Sequence, residues 1–180
     1  LYNARMQRKT LDAMFSAIDK YLPKFWAYLR GKAKALGHEN GMPWYDMFAP
    51  MGENDKTYTL EQARDVLLKL FGSFDGELRA MGEEAFDNAW IDFYPREGKV
   101  GGAFCCGIQA IRQSRILTNF DGTYSDLVTL AHELGHAFHN VNLYSHRPLN
   151  KHYSMPVAET ASTFNENIVN NAAYAAAQSD

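Results

Sequence analysis

Cysteine is almost missing from this chain: Cys105 and Cys106 are the only two, and they are adjacent. Adjacent residues do not meet the Cα separation of an ordinary disulfide, so a stapled secreted scaffold is excluded and a reducing, cytoplasmic setting is expected. With no third soft donor nearby, both thiols read as small core residues rather than metal ligands. No apolar run approaches the roughly 20 residues that span a bilayer, and no signal-peptide pattern opens the sequence, so no membrane partner is expected. Internal repeats, low-complexity tracts and a glycine-rich phosphate loop are lacking as well.

What is present is core-forming sequence: 180 residues, 46% hydrophobic and 13% aromatic, enough for one folded domain over residues 1–180. Acids outnumber bases 21 to 18, but residues 1–34 carry eight Lys or Arg against two acids, leaving ten against nineteen for the rest. Among those N-terminal bases, Leu11, Met14, Phe15, Ile18, Leu22, Phe25, Trp26 and Leu29 read as the buried side of helices. Their basic side is then solvated or docked on the acidic remainder, and no nucleic-acid partner is expected.

The apolar pattern predicts helices at about 1–21 and 23–36, with Pro23 starting the second, then a loop from 37 to 57. Helices follow at about 59–71, capped by Thr59 with Gln62, and 75–90. Between Ile91 and Asn119 the character changes. Pro95, Gly98, Gly101, Gly102 and Gly107 break any helix, and the short runs 103–106 and 115–118 suit strands. The fold class is therefore mainly α with one small β-sheet, laid out as N-terminal helices over 1–90, a sheet region over 91–119, and helices over 124–144 and 156–175.

The first of those last two helices carries His132-Glu133-Leu134-Gly135-His136. In a helix, four residues turn through about 400° and rise about 6 Å, so both imidazoles leave one face and can grip a single ion. This is the H-E-x-x-H pattern of zinc hydrolases, with Glu133 placed to act as the base. Leu127, Leu130, Ala131, Leu134, Ala137, Phe138 and Val141 recur at three- and four-residue steps, and Thr123 with Asp126 has the form of a capping box. Gly135 costs on the order of 1 kcal/mol in mid-helix, which close approach of a second backbone would explain.

Two histidines do not complete a catalytic zinc site, which takes three protein ligands. A His-x-x-Gly-x-x-His continuation is excluded, because His139 and Asn142 stand where Gly and His would be needed. Glu159 is 159 − 136 = 23 positions beyond His136, near the start of a helix opened by Pro156, and is the expected third ligand. Glu166 returns to the same face seven positions on, where it either orients a ligand histidine or stays a solvated carboxylate. His139 is expected to be an ordinary hydrogen-bonded helix histidine. His146 and His152 either contact a substrate or face water, and Gly101 and Gly102 either form a turn or admit a substrate backbone.

Three longer runs, Ser114–Thr123, Thr129–His136 and Val157–Glu166, resemble the oligoendopeptidase F branch of the thimet oligopeptidase-like zinc metallopeptidases. The resemblance extends back through Gly101–Cys105, Trp90–Pro95 and Tyr45–Pro50, and so covers most of the chain. It implies a zincin-like catalytic-domain fragment, one Zn²⁺ per chain held by His132, His136 and Glu159, and Glu133 as the catalytic carboxylate. The implied activity is zinc-dependent endopeptidase action on internal bonds of oligopeptides. A sheet edge beside the zinc helix would bind extended peptide through main-chain hydrogen bonds. Family members are several times longer, which implies that the remainder of a parent chain is a partner and that transition-state donors lie there. A zinc-containing peptide-binding module or a fragment without turnover is the alternative.

Overall fold

The computed structural model describes residues 1–51 and 56–177; residues 52–55 of the expected loop, and the last three residues, lie outside the described residues. The chain divides into two compact units, Leu1–Asp55 and Lys56–Asp180.

The first unit is built on one long helix, α1 (Arg8–Ala35), not on two. Pro23 sits inside it. Proline removes one i→i−4 hydrogen bond and disfavours helix for the residue before it, but the helix-forming residues on both sides continue through that single gap. The apolar side of α1 also departs from expectation, because Phe15, Ile18, Phe25 and Trp26 are all exposed. The helix is tied to the following loop at its C-terminal end, where Lys32 Nζ donates to the Met47 carbonyl at 2.8 Å. His38 Nε2 lies 2.6 Å from Asp46 Oδ2.

The second unit holds α2 (Leu60–Phe74), α3 (Gly76–Asp87), β1 (Ile91–Asp92), β2 (Phe104–Ile108), β3 (Gln113–Leu117), α4 (Tyr124–Leu143) and α5 (Met155–Ala177). The expected Thr59–Gln62 capping box is formed at the start of α2. Helix α3 stops at Asp87, short of the expected 90, because Trp90 turns into the strand that follows. The sheet has the order β1-β3-β2, with β1 parallel and β2 antiparallel to β3. Strand β1 was not expected; with two residues it is too short to show a period of two. Cys105 and Cys106 alternate across β2, so Cys105 is half-buried while Cys106 is exposed, contrary to the expectation that both lie in the core.

One core joins these elements: Leu67 and Phe71 of α2, Leu78 of α3, Trp90, Leu127, Leu130 and Leu134 of α4, and Val169 of α5 are buried together. The start of α4 is fixed twice. Thr123 Oγ1 accepts from the Asp126 N–H, and the Thr123 N–H donates back to Asp126 Oδ2 at 2.9 Å. Gly122, at φ +88°, lies so close to the Tyr58 carbonyl that an added Cβ would sit 2.7 Å from that oxygen. The Tyr58 N–H in turn donates to the Gly122 carbonyl at 2.8 Å.

Gly135 is fully covered, and the reason is backbone contact. A Cβ there would lie 2.6 Å from the Ala161 carbonyl oxygen and 2.7 Å from Ser162 Cα, both on α5. Gly135→Ala therefore forces the two helices apart. It should destabilise the chain by about 1–3 kcal/mol in urea or thermal unfolding, although alanine is the better helix former by about 1 kcal/mol. A variant as stable as the original would disprove that contact.

Candidate metal centre

Helices α4 and α5 deliver the candidate residues from two directions. His132 and His136 leave α4 one turn apart, and their rings pack edge to face at 4.8 Å between centroids. Glu159 comes from α5, five residues into the helix, with Pro156 second in the helix rather than first. Glu159 Oε2 lies 3.3 Å from His132 Nε2 and 3.4 Å from His136 Nε2. One ligand atom from each of the three residues falls within 4.8 Å of the other two.

Those separations match a cation site. Ligands at 2.0–2.1 Å in a tetrahedron are about 3.3–3.4 Å apart along each edge. The hydrogen bonding is compatible with this. His132 Nδ1 lies 2.5 Å from Glu166 Oε1, and a neutral ring that donates its N–H there leaves the Nε2 lone pair free for a metal. In that tautomer Nε2 and Glu159 Oε2 face each other as two acceptors, an arrangement that a cation between them satisfies. Of the two readings of Glu166, the geometry gives the orienting one.

Glu159 is itself held. Ser162 Oγ, fully buried, donates to Glu159 Oε2 at 2.7 Å. Asn165, also buried, donates from Nδ2 to the Ala131 carbonyl at 3.3 Å and ties α5 to α4 one residue before His132. Neither Ser162 nor Asn165 stood out in the sequence. Ser162 had a signal in phase alone: 162, like 166, falls on the side of α5 that carries 159, three and seven residues on, whereas Asn165 does not share that phase.

Glu133 lies beside the cluster, 5% exposed, and its Oε2 has no hydrogen-bond partner among the described residues. Burial pushes its carboxyl up to about 7; Glu159 adds to the rise and His132 opposes it. A carboxyl poised there can take and return a proton near neutrality. Burial likewise lowers His136, which favours the neutral, metal-binding ring.

The other histidines stand apart from the three-donor cluster. His139 stacks on Tyr153 at 4.6 Å, and its buried Nδ1 has no partner among the described residues, unlike the hydrogen-bonded helix histidine expected. His146 and His152 are exposed. Gly102, at φ +81°, forms a bend with Gly101 just before β2.

A model of peptidase family M3 matches residues 4–180 of this chain. The chain belongs to peptidase family M3. Oligopeptidase PepF of Bacillus subtilis (strain 168) is 32% identical over 168 residues, which make up 92% of this chain and 25% of that protein. An oligoendopeptidase F homolog of Lactococcus lactis subsp. lactis (strain IL1403) is 31% identical over 170 residues, 94% of this chain and 28% of that protein. Among solved structures, a Bacillus anthracis str. Ames protein classed as an oligoendopeptidase F superposes with a TM-score of 0.79 at 21% identity. The match covers 93% of this chain and 31% of that one, and bears on the fold alone. This M3 chain spans about a quarter of the length of the curated relatives it matches. Its mainly helical architecture with a small three-stranded sheet is that of M3 catalytic domains.

If the three donors hold an ion as a unit, Glu159→Ala should weaken zinc binding by far more than Glu166→Ala. The loss in the second case should be about 10–100-fold, the usual effect of losing a partner that orients a ligand. Zinc titration against a fluorescent chelator measures both. Equal losses would show that the two glutamates have been assigned the wrong parts.

Proposed function

We propose that this chain carries the metal-binding and proton-transfer half of a zinc-dependent endopeptidase that cleaves internal bonds of oligopeptides. The observation that carries the reading is the convergence of His132, His136 and Glu159, with Glu159 Oε2 at 3.3–3.4 Å from both Nε2 atoms, beside buried Glu133, whose Oε2 has no partner among the described residues. In this reading the three converging residues are the zinc ligands, one ion per chain. Zinc, when bound, supplies Lewis acidity, lowering the pKa of a water toward about 7 and polarising the scissile carbonyl.

The protein groups do the rest. Glu133 Oε2 takes the proton of the attacking water and passes it to the leaving nitrogen, so no covalent acyl intermediate on a side chain is needed. Glu166 keeps His132 in the tautomer that presents Nε2. Strand β2, at the edge of the sheet, offers free backbone groups with which an extended peptide can pair irrespective of its side chains. Peptide substrates accord with the oligopeptidase names of the relatives. Because the chain spans about a quarter of those relatives, donors to the tetrahedral oxyanion and much of the channel wall are assigned to sequence beyond these 180 residues. The chain alone is then a weak peptidase that needs that remainder as a partner.

The test separates chemistry from binding. In the zinc-loaded natural protein that contains this chain, Glu133→Gln should keep metal content and peptide affinity but lose nearly all kcat, since it removes the proton acceptor and no ligand. A near-normal kcat would remove Glu133 from its role. A zinc-free preparation after dialysis against excess zinc, with helices intact by circular dichroism, would reject the metal site itself.

A further inference from the structure

Strand β2 runs alongside α4 in the same direction as the helix, and contacts near its two ends fix that alignment. Ala103, just before β2, lines a cavity together with Asp126 and Thr129 in the first half of α4. Gly107 packs on Asn140, so closely that a Cβ would come within 2.8 Å of the amide. A peptide paired to the free edge of β2 therefore passes the candidate metal centre and then one end of α4.

The cavity at the N-terminal end, about 340 Å³, has no part in the chemistry described above. Ala103 and Thr118 lie just beyond the last pair of the β2–β3 ladder, Phe104 with Leu117, and line the cavity together with Phe120 and Thr129. Asp126 is the only charged residue lining it. Its Oδ2 accepts from the Asp121 N–H, the Thr123 N–H and Thr123 Oγ1, while Oδ1 receives no hydrogen bond among the described residues. Thr129 is four residues before Glu133 and seven before His136, so it lies within about 40° of both on the helix surface and about 6 Å along the axis from Glu133.

We infer that this cavity is a substrate subsite that takes a cationic side chain, lysine or arginine, two residues beyond the cleaved bond on its C-terminal side. The inference rests on the peptidase reading above. The offset follows from length: the roughly 6 Å of helix from Glu133 to Thr129 corresponds to two residues of extended chain at 3.3–3.4 Å each, and the long side chain of a lysine or arginine spans the further turn to Asp126. The side follows from pairing. Antiparallel pairing with β2 is the more stable mode, and it sends the C-terminal part of the substrate toward Ala103 and Asp126. The preference for a cation follows from the Asp126 carboxylate, the one charged group among the described residues lining the cavity.

The experiment uses the zinc-loaded natural protein that contains this chain, and quenched peptides that differ only in the second residue after the cleaved bond: Lys, Ala, Leu or Glu. Lysine should exceed glutamate in kcat/KM by roughly three- to tenfold, the range of a partly screened charge pair. Asp126→Asn, which keeps an oxygen acceptor for the cap, should abolish that preference. Thr129→Arg leaves the cap untouched, puts a cation in the cavity and should reverse the preference toward glutamate. Peptide affinity of the Glu133→Gln protein, read by fluorescence anisotropy, should show the same order without turnover. Cleavage with equal kcat/KM for lysine and glutamate, or a lysine preference that survives Thr129→Arg, overturns the subsite and leaves the peptidase reading intact. Failure to bind or cleave any of the peptides overturns both.

Discussion

At Gly135 the backbone of α4 meets the backbone of α5 with no side chain between them, and the spacing of the candidate ligands follows from that contact. The two histidines are set by helix geometry alone, since four residues along α4 fix their separation. Glutamate is a short arm, however, and Glu159 reaches both Nε2 atoms at 3.3–3.4 Å only because its helix has been drawn in. Ser162 connects the two facts: its Cα, with the Ala161 carbonyl, is pressed against Gly135, and its hydroxyl holds the Glu159 carboxylate.

The same closeness creates the electrostatic problem that the centre must solve. Bringing Glu159 to the histidines also brings it toward Glu133, and burial beside a second carboxylate raises the Glu133 carboxyl. A desolvated acid beside a second carboxylate is costly, and hydrogen bonding offsets only part of that cost. Glu166 and Ser162 each satisfy one atom of the cluster, whereas Glu133 Oε2 has no donor among the described residues. The uncompensated polarity is thus concentrated where a cation and a water would sit.

Much of this was legible before any coordinates. The His132–His136 spacing, the Thr123 cap and the apolar stripe of α4 are local patterns, and local patterns survive in sequence. Glu159 was reachable by elimination and helix phase, and the glycine at 135 signalled a close neighbour without naming it. What stayed hidden was either too short or too distant. Strand β1 has two residues and draws its order from β3, and Asn165 matters only through a carbonyl 34 residues away. The proline rule failed at Pro23 because one lost hydrogen bond does not outweigh the helical preference of its neighbours. The exposed apolar side of α1 shows the limit of amphipathic pattern, which marks a face that favours burial but not what buries it.

The double lock at the start of α4 governs how this region can change over time. Tyr58 and the Thr123 cap anchor the helix before its first turn, so the rotational phase of every later residue is counted from that point. One residue inserted or lost between Thr123 and His132 would swing the histidine pair by about 100°, out of reach of α5. That stretch can diverge by replacement but not by length. The connection from Tyr144 to Ser154 carries no such count, because Glu159 is positioned by helix contact and not by the path of the chain that leads to it. Length variation among natural versions of this fold should therefore collect between the two helices and be absent ahead of the first histidine.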